Sequence, residues 1–243
     1  MASKPDHTAF TGDLVNIAAW QEFPPAADWL KTLGSPDQLS FVPGNHDAYV
    51  EVPFDKGLGH FAPWMQSDKP VEGLFPSVKL RRNIAILGVN SGCPQPYSKA
   101  AGRLGPAQLR DLSHHLEALG HQGFFRVLMI HHPPLPGLAL SRKALTDANE
   151  LAEVLQAKGC ELVLHGHNHK TMLNWLETTS GKCPVIGVPS ASMKGDDNHE
   201  AAAWNRCDIK RIQNRWQVEM TVHTWNGATS KVEAHKPAML SPG

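Results

Sequence analysis

Four short apolar runs in this chain each end in a compact polar motif, and this restricts the fold more than any other feature. The runs lead into Thr11-Gly12-Asp13, Gly44-Asn45-His46-Asp47, His131-His132-Pro133-Pro134 and His165-Gly166-His167-Asn168-His169. A strand that stops in a loop rich in side-chain donors places them at the carboxyl edge of a sheet. The spacers between runs have helical patterning. Pro24 to Leu33 carries an early proline and apolar Ala27, Leu30 and Leu33, with Gly34 as a stop. Pro106 opens a second helix with Leu109, Leu112, Leu116 and Leu119 on one face, closed by Gly120. Asp147-x-x-Glu150 has the form of a capping box for a third, ending at Gly159.

After residue 170 the rhythm changes. Segments 171–176, 185–188, 204–212 and 216–225 have strand character with no helix between them, and 180–182 and 213–215 suit hairpin turns. Strand–helix alternation followed by an antiparallel tail predicts one α/β sandwich, residues 1–233, in which the tail completes a second sheet. A frayed end is expected from about residue 234. Residues 48–73, rich in Pro, Gly and aromatics, are expected to form a cap or lid loop.

Bulk properties exclude several classes. The chain has 243 residues, 41% hydrophobic and 19% charged, with a formal net charge of +0. That balance gives no electrostatic case for nucleic acid as a partner. Cys93, Cys160, Cys183 and Cys207 are scattered without a C-x-x-C pair, which fits a reducing compartment. The N-terminus lacks an apolar leader and no run approaches a membrane span, so a cytoplasmic location is expected. Oligomeric state is not legible.

The motifs themselves supply metal ligands. A carboxylate such as Asp13 bridges two cations, one through each oxygen. Asn45 offers a neutral carbonyl oxygen, and His131, His167 and His169 offer imidazole nitrogens. Such N/O ligation suits Mn, Fe, Zn or Co better than Mg or Ca. One or two ions are expected, and a pair would clamp both oxygens of an in-line phosphoryl displacement. Singly, each motif has a plain structural reading: Gly-Asp or Gly-Asn as a turn, His-His-Pro-Pro as a strand stop. Three imidazoles within five residues have little structural use, and all four motifs at strand ends read as a site. His114, His115, Arg81, Arg82, the loop Asp196-Asp197 with His199, and Trp204, Trp216 and Trp225 read as structural or solvated.

With these residues in view, residues 6–193 resemble the calcineurin-like metallophosphoesterase superfamily. They are most similar to its bacterial class III cyclic-nucleotide phosphodiesterases, where Gly-Asn-His-Asp, His-His-Pro-Pro and Gly-His-x-His recur in this order. The resemblance implies a four-layer α/β/β/α sandwich with mixed sheets. It implies that Asp13 bridges two metals, that Asn45, His131 and His167 complete one, and that His169 serves the other. It further implies His46 near the substrate as catalytic group, Asp47 orienting its ring, and a metal-bound hydroxide as nucleophile.

The family opens with Asp-x-His on a first strand, and this sequence has no such motif before Thr11. Asp6-His7 has the wrong spacing and lies ~20 Å away, at the far end of the strand. One expectation is therefore an N-terminally shortened enzyme with its first strand missing. Three functional readings follow. The first is a phosphodiesterase acting on a cyclic nucleotide or similar small phosphodiester. The second is a nucleotide-sugar-lipid pyrophosphatase or phosphomonoesterase, and the discriminator is whether Phe54, Leu58, Phe61, Trp64 and Met65 seat an acyl chain or simply pack on the sheet. The third is a metal-binding protein with impaired catalysis.

Overall fold

A computed structural model describes residues 4–69, 73–96, 98–196 and 199–240. Asp197, residues 70–72 of the expected cap and 241–243 of the expected tail lie outside them. The chain is a mixed α/β fold. Its main sheet has six strands: β3 (Ser77–Arg81), β4 (Ile84–Gly88), β5 (Phe125–Met129), β6 (Leu162–His165), β7 (Met172–Thr178) and β8 (Gly181–Gly187), in the order β3-β4-β5-β6-β8-β7. β4, β5, β6 and β8 run parallel, and β3 and β7 pair antiparallel at the two edges.

Two further helices, α3 (Pro106–His121) and α4 (Ala148–Lys158), cover one face of this sheet. Leu109, Leu112, Leu116, Leu151 and Leu155 meet Ala85, Leu87, Leu128 and Val163 there. The leucine spacing on α3 puts these side chains on one helical stripe, and burying each stabilises the fold by ~1.5–3 kcal/mol. α3 runs through Gly120 and ends at His121, and Gly123 just beyond it has φ +76°.

The other face carries two smaller layers. β1 (Thr8–Phe10) pairs in parallel with β2 (Leu39–Phe41), and α1 (Phe23–Leu33) packs on them through Phe23, Ala27 and Leu30. β9 (Ala203–Ile212), β10 (Arg215–Asn226), β11 (Lys231–Ala234) and β12 (Ala238–Leu240) form an antiparallel sheet around β10. Val218, Met220 and Leu240 from it meet Phe125, Val127, Leu162 and Ile186 of the main sheet. The frayed end expected from residue 234 is corrected here, since β12 is paired and Leu240 is 2% exposed. β1 pairs only with β2 among the described residues, and its side chains stay partly exposed.

Two other sequence expectations also change. Residues 54–65 form two short 3-10 helices and α2 (Ala62–Met65), which bury Phe61, Trp64 and Met65 against Phe23 and Phe41. Phe61, Trp64 and Met65 thus pack in the core and do not seat an acyl chain, while Phe54 stays 52% exposed. Asp147 does not cap its own helix. Its carboxylate accepts from Leu104 N and Gly105 N instead, tying the start of α4 to that of α3. Arg126, the second residue of β5, is buried and ion-paired with Glu161 at 2.5 Å, which permits a charge in a central strand.

Candidate metal centre

The loops after β1, β2, β5 and β6 converge at one edge of the molecule. Gly12 adopts φ +101°, and a Cβ there would lie 2.6 Å from His131 Nδ1. A Cβ on Gly44 would lie 2.0 Å from Asp13 Oδ1. Neither position has room for a side chain, so the two loops touch backbone to backbone. Asp13, His167 and His169 also have positive φ, at 61°, 68° and 53°. Such backbone costs non-glycine residues about 1 kcal/mol or more, and persists where surrounding contacts impose it.

Asp47 imposes it on Asp13. Its carboxylate accepts from the backbone N–H groups of Asp13, Leu14 and Gly44 at 2.8 Å and of Val15 at 3.1 Å. Asp47 is 2% exposed. Burial, followed by the Asp13 charge, pushes its carboxyl up to about 6 against the pull of those N–H groups. The expected pairing of Asp47 with the His46 ring is therefore corrected. Adjacent loop residues point apart, and Asp47 shapes the Asp13 loop while His46 Nδ1 donates to the Asn16 carbonyl.

Four donor atoms meet at the centre of this arrangement. His131 Nε2 lies 3.2 Å from Asp13 Oδ2, 3.1 Å from Asn45 Oδ1 and 3.2 Å from His167 Nδ1. His167 Nδ1 lies 2.9 Å from Asn45 Oδ1. His131 Nδ1 sits 2.7 Å from the Thr11 carbonyl, and because a carbonyl only accepts, the proton is on Nδ1 and Nε2 is turned to the cluster. Donors about 2.0–2.1 Å from one ion lie roughly 2.9–3.4 Å from each other, between octahedral and tetrahedral arrangements. The donor set, one carboxylate oxygen, one amide oxygen and two imidazole nitrogens, thus fits a borderline divalent cation in both chemistry and spacing. Asp13, His131 and His167 form the one such His/Cys/Asp/Glu group among the described residues.

The electrostatics reflect this crowding. Burial pushes Asp13 up, but the neighbouring His131 overrides it and holds the carboxyl well below its ordinary range. Burial alone would lower His131; the Asp13 carboxylate reverses that and raises it. Burial, followed by the His131 charge, lowers His167 to about 3. A lowered imidazole stays neutral and keeps its lone pair for a ligand.

The remaining motif residues sit around this cluster. His46 N–H donates to Asp13 Oδ1 at 3.0 Å, and its ring stacks on Tyr49 with centroids 6.0 Å apart. His169 is half-buried and outside the four-donor cluster; burial lowers it, and the Asp13 charge opposes that. Sequence reading missed Ser91 and His132. Ser91 Oγ lies 2.7 Å from His132 Nδ1, and His132 Nε2 donates to Ala100 O at 3.1 Å. The His132 ring packs 4.5 Å from that of His167, locking the loop before α3 onto the centre. The doubled His131-His132 was the available signal.

Residues 2–171 match the family described as calcineurin-like phosphoesterase, and the chain belongs to that family. Its members' metal-dependent phosphoester hydrolysis agrees with the donor set above. Among solved structures, the chain is similar to a dimetal phosphatase from Danio rerio at 12% identity and TM-score 0.58, covering 98% of this chain and 84% of that one. It also aligns with a Vps29 D62A mutant from Entamoeba histolytica at 14% identity and TM-score 0.39, covering 97% and 83%. At such identities the first likeness speaks for the fold. No curated protein matches the sequence significantly. Among the described residues no helix is long and apolar enough to cross a membrane.

Proposed function

We propose that this chain hydrolyses a small phosphodiester, with a cyclic nucleotide as the leading candidate, using a divalent cation held by Asp13, Asn45, His131 and His167. The observation that carries this reading is the convergence of those four donors at 2.9–3.2 Å. A phosphodiester carries one negative charge, which matches a centre whose ligands include a single carboxylate. When bound, the cation supplies Lewis-acid polarisation of a phosphoryl oxygen and makes water available as a nucleophile near neutral pH.

The chain's own groups do the rest. Asp47 fixes the Asp13 loop through four backbone bonds. His46 commits Nδ1 to the Asn16 carbonyl, which leaves Nε2 to exchange a proton with a leaving oxygen. Tyr49, stacked on that ring, limits its rotation. His169 is the further imidazole on the same loop as His167 and would serve a second ion.

Protein loaded with Mn should hydrolyse bis-p-nitrophenyl phosphate. Asn45→Ala or His167→Ala should lower the rate by at least ~100-fold, since losing a ligand exceeds the 10–100-fold cost of losing its orienting partner. Metal-loaded protein that hydrolyses neither that ester nor a cyclic nucleotide would overturn the reading. A second reading, a chain that binds one cation without turnover, is favoured by Asp13 Oδ1 being taken by His46 N–H. Elemental analysis separates the two: about one ion per chain with no turnover supports the second.

A further inference from the structure

The two imidazoles of the four-donor cluster are held in place by different means. His131 has the usual arrangement of a metal ligand: Nε2 faces the cluster, and Nδ1 donates to the Thr11 carbonyl at 2.7 Å. His167 lacks such a partner. Its Nδ1 faces the cluster, and its Nε2 is buried without a hydrogen bond among the described residues. The Lys143 backbone approaches this ring without completing a bond to Nε2. Rotation of an imidazole about its last torsion is soft. Outside the cluster itself, no hydrogen bond stops the His167 ring from turning Nδ1 away from Asn45 and His131.

His132 stands where the missing restraint would act. Its ring lies 4.5 Å from that of His167, tilted by 44°, and 5.1 Å from that of His131, edge-on at 87°. Such separations are those of attractive aromatic pairs. The His132 ring is itself fixed. Ser91 Oγ lies 2.7 Å from Nδ1 and accepts from the His132 backbone N–H at 3.3 Å, while Nε2 donates to the Ala100 carbonyl at 3.1 Å. Both His132 and Ser91 are fully buried. With both nitrogens engaged, His132 is no ligand, and what it offers the centre is the face of a rigid ring.

The far side of that ring is closed as well. A Cβ on Gly102 would lie 2.3 Å from His132 Nδ1, so the backbone there sits directly against the imidazole. Gly102 is bonded in turn to the segment before α4: its N–H donates to Ala144 O at 3.1 Å, and its carbonyl accepts from Thr146 N at 2.9 Å. Two loops therefore back a ring that touches both ligand imidazoles.

We propose that His132 is a positioning residue for the cation site, holding the His167 ring at the rotation that points Nδ1 at the ion. Ser91 and Ala100 keep His132 from turning, and Gly102 lets the backbone close behind it. The inference rests on the four-donor cation site of the proposed function and is independent of the reaction performed there.

The test is titration of Co into metal-free protein, following the visible absorption bands of the bound ion, which report ligand geometry. His132→Ala should weaken Co binding at least ~10-fold, the scale of losing an orienting partner, and alter the bands. Ser91→Ala, a milder change, should weaken it about 3-fold or more, the worth of one buried hydrogen bond. Leu240→Ala, a core truncation in the tail sheet, controls for lost stability and should leave the bands unchanged and the affinity within about 2-fold. Unchanged affinity and bands in His132→Ala overturn the inference, as does an equal loss in Leu240→Ala. If His132→Ala does not fold, Ser91→Ala decides: unchanged affinity and bands there overturn it. Wild-type protein that takes up no Co overturns the cation site along with it. Co binding that depends on His132 in a protein with no turnover upholds the inference and overturns only the phosphoesterase reading.

Discussion

The strand–helix half of the molecule and its antiparallel tail are built on opposite terms. In the first half the strands are short, and the polar residues that matter sit where strands stop. β1 and β2 span three residues each, β5 five and β6 four. In the tail, β9 and β10 are long, 10 and 12 residues, and their ends carry none of the converging donors. The tail instead contributes Val218, Met220 and Leu240 to the layer beneath the main sheet. One half spends its loops on a site held by backbone strain and buried polar contacts, and the other supplies apolar burial at a distance from it.

That contrast breaks first at Asp47. Asp47→Ala strands four backbone N–H groups in a buried loop. A loss of about 3–5 kcal/mol is expected from urea unfolding, together with loss of metal binding by dialysis and elemental analysis. If metal content is unchanged, the site does not depend on this carboxylate. The tail should behave differently. Leu240→Ala removes a side chain that is 2% exposed and should cost roughly 2–3 kcal/mol, while Mn affinity stays within about 2-fold. A large fall in Mn affinity would mean that the halves are not separable.

The smallest effect concerns pH. Burial, followed by the charges of Arg81 and Lys79, lowers His7 from 6.5 to about 4. A depressed imidazole contributes stability that is present above pH 6.5 and lost as pH falls through about 4. Unfolding free energy should therefore drop across that window by roughly 1 kcal/mol more in the wild type than in His7→Gln. Equal slopes would remove His7 from the acid response.

The metal cluster was legible because its residue types have few other uses in that order. Asn45, His131 and His167 follow apolar runs, and strand ends are where an α/β sheet collects ligands. The role of Asp47 was not legible, since adjacency to His46 suggested a pair while the turn sends the two side chains apart. Asp147 carried a capping signature that tertiary contact with Leu104 and Gly105 overrode. The segment 54–65 looked like a lid because Pro and Gly hide short helices, and only packing on Phe23 and Phe41 reveals Phe61 as core. β12 escaped notice because a three-residue strand has no measurable periodicity.

The ligands also stand far apart along the chain. Asn45 and His131 are separated by 86 positions, and Asn45 and His167 by 122. An ion captured here acts as a reversible cross-link across most of the polypeptide. Its complete donor set forms only once loops from distant parts of the chain have come together, because no two of the four protein donors are near neighbours in sequence. Occupancy becomes a reporter of completed folding, and the stability it adds grows with free cation as RT ln(1 + [M]/Kd). Supply of the ion, more than any single contact, would then set how long this half of the molecule survives before it opens.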